Sequence, residues 1–278
     1  MHYKHVDGAE AAGSQASSAA AGFPAYATCE WPGSGVRIDV LGGFGLWVGD
    51  EPVAVPAGSE RVLAFVALCC RAAVPRPMIA GTLWPETSEP RACTNLRSAL
   101  ARLRTDGRRA LDIGPASVCL ARGTTVDLHH AQRVARRVLA STDPARLPGS
   151  IPAAVEALSV DLLPGWYDDW AQLEAEEWRQ LRLHALETLA GRLIAAGRHA
   201  EAVSAAHAAV HADPLRESGQ TRLLQAHLAE GNRSEALHAF RRYSRRLHEE
   251  LGLEPTERLR GLVAEISPSP RTDAQPGR

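Results

Sequence analysis

Lysine is almost absent from this 278-residue sequence, in which Lys4 is the one lysine and the other thirty basic side chains are arginines. A phosphate-binding loop needs Gly-Lys-Ser or Gly-Lys-Thr, which the folded part of the chain therefore cannot form. Schiff-base catalysis through a lysine amine is excluded from the same region. The scarcity of lysine thus excludes two kinds of enzyme site.

Long apolar runs are also missing. No stretch reaches the roughly 18 uninterrupted apolar residues that a membrane-spanning helix needs. The N-terminal residues also lack the apolar segment of a signal peptide. We therefore expect a cytoplasmic protein with no membrane partner.

Paired cysteine motifs are also absent, because no two cysteines have the Cys-x-x-Cys spacing of a redox or zinc site. The five are Cys29, Cys69, Cys70, Cys93 and Cys119. Three of them fall in predicted core helices. This distribution favours reduced, buried thiols over disulfides or zinc ligands.

The eleven histidines leave one metal-binding alternative open. His207 and His211 are four residues apart on one helix face, a spacing that could hold zinc. Ala208 stands where a metalloprotease would have its glutamate, so a packing or solvated pair is preferred. His129 and His130 could titrate near neutral pH, but their interpretation as polar residues at a helix start is preferred. We expect no enzyme activity, no catalytic residue, no cofactor and no metal.

Composition along the chain suggests two domains between unstructured ends. Residues 1–34 are rich in alanine, glycine and serine and predict a disordered leader, and residues 267–278 predict a disordered tail. The length in between fits two domains of ordinary size. We place the first domain at residues 35–127 and a second, helical domain at residues 128–266.

The pattern of strands and helices in the first domain predicts an α+β fold. The alternation of apolar and polar residues, interrupted by glycine turns, predicts three strands at residues 36–41, 44–48 and 53–55. Three helices follow, at residues 61–71 (entered through Ser59 and Glu60), 75–83 and 89–105. A hairpin comes last, with strands 110–113 and 118–121, turn 114–117 and a closing segment 125–127. This order is that of a winged helix-turn-helix with an additional N-terminal sheet.

The third of these helices separates two kinds of residue at about 100° per residue. Its apolar face carries Cys93, Leu96, Ala99, Leu100 and Leu103. Its other face carries Arg91, Thr94, Ser98, Ala101, Arg102 and Thr105. Ser88, Glu89 and Pro90 suit a helix start, with a capping hydroxyl, a carboxylate at the positive end and a proline in the first turn.

A major groove about 12 Å wide admits such a helix. We predict that one group of side chains contacts bases or adjacent phosphates: Arg91, Thr94, Asn95, Ser98 and Arg102. A second group contacts mainly phosphates: Arg97, Arg104, Arg108 and Arg109. The hairpin turn at residues 114–117 would approach the neighbouring minor groove. An ordinary solvated amphipathic helix is the alternative.

Charge supports DNA binding locally. The whole chain has a formal charge of −1 and indicates no partner. Residues 59–122, however, contain ten arginines and five acids. Basic charge collected in one region is expected of a surface that contacts phosphates.

The second half contains an internal repeat. Residues 196–203 recur at residues 230–237 with a shift of 34, the period of tetratricopeptide repeats. The predicted helices span residues 170–196, 199–212, 214–230, 233–251 and 256–266. Stacked helix pairs of this kind bury a continuous seam and present a groove to a partner, although alanine-rich hairpins can also resemble one another by chance. The fold class is therefore a winged helix followed by an all-α, tetratricopeptide-like domain.

Several segments in this order resemble the Streptomyces antibiotic regulatory protein family, over about residues 36–265. They are Leu83-Trp84-Pro85, residues 96–103, the sequence DLLPGWYDDW at 161–170, ADPLRE at 212–217 and ELGLEP at 250–255. Members join a response-regulator-type winged helix to a helical bacterial transcriptional activator domain. The resemblance implies a transcription activator that binds direct repeats in double-stranded promoter DNA, often of antibiotic and other secondary-metabolite genes, and engages RNA polymerase holoenzyme.

A homodimer or tandem protomers would occupy half-sites about one helical turn apart. One alternative class remains: a tetratricopeptide-like interaction scaffold or ligand-responsive regulator, whose winged helix is only a docking module. The dependence of binding on salt separates the two, because phosphate contacts release counterions and apolar grooves do not.

Overall fold

The computed structural model describes residues 35–69, 73–140 and 147–264, which all belong to one compact unit. The predicted leader and tail, with Cys29 and Cys70, lie outside the described residues. In the described part, no helix is both long and apolar enough to cross a membrane.

Two small sheets occupy the first half of the described chain. The first contains β1 (Val36–Asp39), β2 (Gly45–Val48), β3 (Glu51–Pro52) and β7 (Thr125–Val126), in the order β3-β2-β1-β7. The second contains β4 (Val74–Pro75), β5 (Leu111–Ile113) and β6 (Ser117–Leu120), in the order β4-β6-β5. β1 pairs antiparallel with β2 and parallel with β7. The end of this half of the chain therefore returns to its first strand.

Four helices accompany the sheets: α1 (Ala57–Leu68), α2 (Arg76–Leu83), α3 (Glu89–Arg102) and α4 (Thr105–Arg108). α1 is central, because every residue from Val62 to Leu68 is buried. It contacts α2, α3, β1 and β6. A helix that is apolar on all sides is expected at such a position.

The predicted elements of this half exist, with several corrections. The third strand is Glu51–Pro52 rather than residues 53–55. α1 begins four residues earlier than predicted, since Pro56 is its N-cap and Ser59 is buried inside its first turn. α3 ends at Arg102, and α4 follows as a separate turn. β4 was not predicted, and β7 joins β1 instead of the hairpin, because two-residue strands carry no detectable alternation.

Seven helices form the rest of the described chain: α5 (Asp127–Ala140), α6 (Ile151–Leu158), α7 (Asp169–Ala195), α8 (His199–Ala212), α9 (Glu217–Glu230), α10 (Arg233–Leu251) and α11 (Glu257–Ala264). The five predicted helices match α7 to α11, and every described end agrees within three residues. α5 and α6 lie outside the repeat, and their bounds were not predicted.

The 34-residue repeat is confirmed as two successive helix pairs, α7 with α8 and α9 with α10. Gly197 and Gly231 end the first helix of each pair with φ of +72° and +88°, a left-handed conformation that favours glycine. α8 packs between α7 and α9. Its small buried side chains allow this close approach: Ala202, Ala205, Ala206 and Ala209.

Candidate nucleic-acid interface

α3 lies on the protein surface with its predicted apolar face turned inward. Its buried residues are Ala92, Leu96, Ala99 and Leu100, and Leu103 just beyond its end is buried as well. Cys93 is half-buried. The exposed side consists of Arg91, Thr94, Arg97, Ser98, Ala101 and Arg102. The predicted orientation of the helix is thus confirmed, with one difference, since Asn95 is half-buried at the edge of the exposed side.

The start of α3 differs in detail from its prediction. Ser88 is the N-cap, but its hydroxyl makes no capping hydrogen bond. Its carbonyl oxygen instead accepts hydrogen bonds from the backbone N–H groups of Arg91 and Ala92, both at 2.9 Å. Pro90 and Glu89 occupy the first turn as predicted.

Two contacts hold the far end of α3 against the core. The buried hydroxyl of Ser59, on α1, donates a hydrogen bond to the carbonyl oxygen of Ala99 at 2.7 Å. Gly107, on α4, is buried so closely that a Cβ there would lie 3.2 Å from Cδ2 of Leu103 and 3.5 Å from Cδ2 of Leu46. α4 is therefore pressed against the end of α3, and three exposed arginines extend the basic surface there: Arg104, Arg108 and Arg109.

Two exposed side chains of α3 are hydrogen-bonded within the helix. The Thr94 hydroxyl donates to the Pro90 carbonyl oxygen at 2.9 Å. Arg97 donates through Nη2 to Thr94 Oγ1 at 3.1 Å and through Nε to the Cys93 carbonyl oxygen at 3.3 Å. Within the described residues, five other arginines of this surface form no ion pair: Arg91, Arg102, Arg104, Arg108 and Arg109. Their charge is available to an anionic partner.

The hairpin of β5 and β6 is fastened to the start of α2. The Gly114 N–H donates to the Ser117 carbonyl oxygen at 2.9 Å across the turn. Arg76 contacts the turn twice, through Nη1 to the Gly114 carbonyl oxygen at 3.2 Å and through its backbone N–H to the Ala116 carbonyl oxygen at 3.0 Å. Pro115 and Ala116 remain exposed at the tip. The tip is thus held in a defined position relative to α2.

The remaining chemical candidates occupy structural positions. Cys93 and Cys119 are half-buried free thiols, and Cys69 is buried. Burial, followed by the charge of Asp112, raises the pKa of Cys119. Among the described residues, no group of three His, Cys, Asp or Glu side chains could hold a metal ion. His207 packs its ring edge-on against His227, with centroids 5.8 Å apart. His129 contacts the Ala67 carbonyl oxygen of α1 through Nε2 at 3.0 Å.

Sequence reasoning missed the joint between the two halves. Asp127, the first residue of α5, accepts hydrogen bonds at 2.9 Å from the backbone N–H groups of Val40 and Leu41, and at 2.7 Å from that of Leu128. Burial raises the pKa of Asp127, although these three hydrogen bonds oppose the rise. One carboxylate thus joins the end of β1 to the start of α5.

Residues 161–170, hereafter the joint segment, supply the second half of the joint. The Gly42 N–H donates to the Asp161 carbonyl oxygen at 2.7 Å, and the Leu163 N–H donates to the Val40 carbonyl oxygen at 2.9 Å. Leu41 and Leu162 form a β-bridge between these bonds. The segment therefore pairs with the chain just after β1 through one isolated bridge and its two flanking hydrogen bonds. Its aromatic residues were the signal that could have revealed a packing role.

Aromatic and charged side chains complete the contact with α1. Trp170 packs edge-on against Phe65 of α1, with ring centroids 5.3 Å apart, and against Trp166 at 5.9 Å. Arg61 of α1 forms an ion pair with Asp168. An open cleft of about 550 Å³ adjoins this pair and is lined by Ala57, Glu60, Arg61, Gly165, Trp166, Tyr167 and Asp168.

Comparison with known proteins agrees with this architecture. Residues 126–267 match the family model of the bacterial transcriptional activator domain. The regulatory protein AfsR of Streptomyces coelicolor is 30% identical over 262 residues, which cover 88% of this chain and 25% of that protein. The AfsR of Streptomyces griseus is 31% identical over 252 residues, which cover 83% of this chain and 24% of that protein. The chain thus spans about a quarter of the length of these relatives.

A solved structure shares the fold. Mycobacterium tuberculosis EmbR, solved in complex with a low affinity phosphopeptide, superposes with a TM-score of 0.61 and 23% identity, covering 84% of this chain and 65% of that one. Both have a region with small sheets followed by a helical domain. Because the family model covers half of the sequence and the AfsR matches extend over both halves, the chain belongs to the bacterial transcriptional activator domain family, as a regulator of the Streptomyces antibiotic regulatory protein type.

Proposed function

We propose that this protein is a sequence-specific DNA-binding transcriptional activator in which residues 35–127 form a winged-helix domain. One observation carries the proposal: α3 buries its apolar face and presents an arginine-rich face that forms no ion pair with the residues that the structure describes. In this reading α2 and α3 are the helix-turn-helix, and α3 enters the major groove. The hairpin of β5 and β6 is the wing.

The exposed residues divide into two roles. Arg91, Ser98 and Arg102 lie on the open side of α3 and are free to contact base edges, as arginine does at guanine. Asn95 reaches an adenine only with its outer edge, because it is half-buried. Thr94 must exchange its bond to Pro90 for one to DNA.

Phosphate contacts come from the flanks of the same surface. Arg97 makes only solvent-exposed hydrogen bonds within its own helix, and it can exchange them for a phosphate of one DNA strand. Arg104, Arg108 and Arg109 lie beyond the end of α3 and contact the other side of the groove. Arg76 holds the hairpin tip toward the adjacent minor groove.

Residues 128–266 supply activation in this proposal. Two protomers, as a homodimer or in tandem, occupy direct repeats in a promoter, and the paired helices contact RNA polymerase. The regulated genes are those of a secondary-metabolite or antibiotic cluster. The support is the family of the helical half and the name of its relatives, which are regulatory proteins of Streptomyces.

The test measures DNA affinity against salt. A duplex chosen from a genome-wide footprint is titrated with protein between about 50 and 200 mM salt, where six to ten phosphate contacts would lower affinity by roughly 10³ to 10⁵-fold. Arg108→Ala should reduce the slope of log affinity against log salt by about one. Arg258→Ala, which removes an exposed arginine from α11, is the matched control and should leave the slope unchanged.

A different result would contradict DNA binding. A protein that binds no duplex at low salt, yet captures a protein partner with little dependence on salt, would be the interaction scaffold instead. Equal slopes for wild type and Arg108→Ala would show that Arg108 contacts no phosphate. The proposal would then depend on the side chains of α3.

A further inference from the structure

α1 is shared between the candidate DNA-binding surface and the helical half. On one side the Ser59 hydroxyl donates a hydrogen bond to the carbonyl oxygen of Ala99 on α3. On the other side Arg61 pairs with Asp168, and Phe65 packs against Trp170. Any force that the helical half applies to α1 is therefore applied to α3 as well, because packed helices transmit displacement.

Besides the contacts of His129 with Ala67 and of Phe44 with Trp166, two groups of contacts attach the two halves to each other. The first attachment is backbone pairing, in which Leu41 bridges to Leu162 and Asp127 accepts from the end of β1. The second is the side-chain contact of α1 with Asp168 and Trp170. A single attachment would act as a hinge, whereas attachments at separate places restrict the rotation of one half against the other.

The second attachment consists of contacts that depend on direction. Phe65 and Trp170 meet at an interplanar angle of 90°, and Trp166 and Trp170 at 83°, the edge-to-face geometry that aromatic rings prefer. The side chains of Arg61 and Asp168 are 31% and 27% exposed. An ion pair this accessible to water adds little to stability. Its removal should therefore loosen this contact without unfolding the protein.

We infer that Arg61 and Asp168 are positioning residues that fix the angle of α3 relative to the helical half. Resting on the proposed function, this angle sets the spacing of the two half-sites that paired protomers accept. One base-pair step is about 3.4 Å along the duplex. A rotation that moves α3 by that distance therefore shifts the preferred spacing by one base pair.

The first measurement needs no DNA. Spin labels are attached through a non-natural amino acid at Ala101 on α3 and His238 on α10, both exposed, and the distribution of distances between them is recorded in the full chain. Wild type should give one narrow distribution. Arg61→Ala and Asp168→Asn should widen it at least twofold, and the charge exchange Arg61→Asp with Asp168→Arg should narrow it again.

The second measurement is a spacing series on DNA. Duplexes with two half-sites separated by increasing numbers of base pairs are titrated beside a one-site duplex. Wild type should show one sharp optimum. The affinity of Arg61→Ala for the one-site duplex should stay within twofold of wild type. The ratio of two-site to one-site affinity at the optimal spacing should fall about tenfold, because a looser joint lowers the effective concentration of the second protomer. The dependence of affinity on spacing should also broaden.

Arg198→Ala is the control, because it removes an exposed arginine–glutamate pair, with Glu201, from α8. It should change neither measurement. If Arg61→Ala fails to fold, the isosteric Asp168→Asn decides. An unchanged distance distribution in Asp168→Asn overturns the inference, and so does a wild-type protein without a spacing optimum. A wild-type protein that binds no single site contradicts the proposed function instead, and the distance measurement then decides the positioning role alone.

Discussion

The hydroxyl of Ser59 donates a hydrogen bond to the carbonyl oxygen of Ala99, 40 residues later, and the bond is buried between α1 and α3. Ala99 belongs to the last turn of α3, where carbonyl oxygens lack partners within the helix. A side chain on one helix thus satisfies the end of another. The candidate DNA-binding helix therefore depends on α1 for its last turn as well as for its packing.

Ser59→Ala should destabilise the protein by about 1–3 kcal/mol, because the carbonyl oxygen of Ala99 would stay buried without a donor. Urea unfolding measures this loss. Ser204→Ala is the control, since the Ser204 hydroxyl donates to its own helix on an exposed surface. Its effect should lie within about 0.5 kcal/mol. Equal effects of the two substitutions would show that the buried bond contributes nothing particular.

Leu100→Ala should cost roughly 2–5 kcal/mol, because Leu100 is only 4% exposed and its truncation leaves a cavity beneath α3. A thermal melt of the full chain records the change. The neighbouring Ala101 is exposed, so Ala101→Ser should leave the melting temperature nearly unchanged. A Leu100→Ala protein that melts like wild type would place the other side of α3 against the core.

Arg102→Ala and Asn95→Ala should each weaken binding to the cognate site by about 1–3 kcal/mol and change binding to random DNA little. The physical reason is that base contacts discriminate between sequences and phosphate contacts do not. Competition titrations with the two DNAs measure both numbers. Equal losses on both DNAs would assign these side chains to the phosphate backbone.

Glu174 predicts a pH effect on stability. Burial, followed by the charge of Glu177, raises the pKa of Glu174 to about 7. The folded state therefore binds this proton more tightly than the unfolded state, and stability falls as the pH rises from about 4.5 to about 7. Glu174→Gln removes that loss and should stabilise the protein at pH 8 by about 1–3 kcal/mol.

The gain from Glu174→Gln should shrink as the pH approaches 4.5. Urea unfolding at several pH values follows it. Glu249→Gln, at an exposed position on α10, serves as the control and should show no such trend. A gain that is the same at pH 5 and pH 8 would mean that amide packing, not ionisation, is responsible.

A fragment ending near Leu128 should fold, bind DNA detectably and fail to activate transcription. It loses the contacts of Phe65 with Trp170 and of Phe44 with Trp166, so we expect it to be less stable than the same region in the full chain. Its affinity for two adjacent half-sites should fall more than its affinity for one, because tethering raises effective concentration. Gel shifts and a reporter assay measure these properties. Full activation by the fragment would show that the helical half is not the activation surface.

The exposed and buried sides of α3 were predictable because helical periodicity is a local property. Spacing alone assigns Leu96 and Leu100 to the buried side and Arg102 to the exposed side, and the structure confirms these positions. The repeat helices were predictable for the same reason, since Gly197 and Gly231 mark equivalent ends. The hydroxyl of Ser88 was misjudged, because its residue type permits a cap but does not determine its rotamer.

The joint could not be predicted from local pattern. Asp127 and Val40 are 87 residues apart, and Arg61 and Asp168 are 107 apart. The two-residue strands β4 and β7 exist only because partners from distant parts of the chain complete them. Periodicity and glycine positions act within a few residues, and they were enough to specify the amphipathic arginine helix and the helical repeat. The way in which the two halves meet depends instead on contacts between residues that no local pattern connects, so it is visible only in the folded protein.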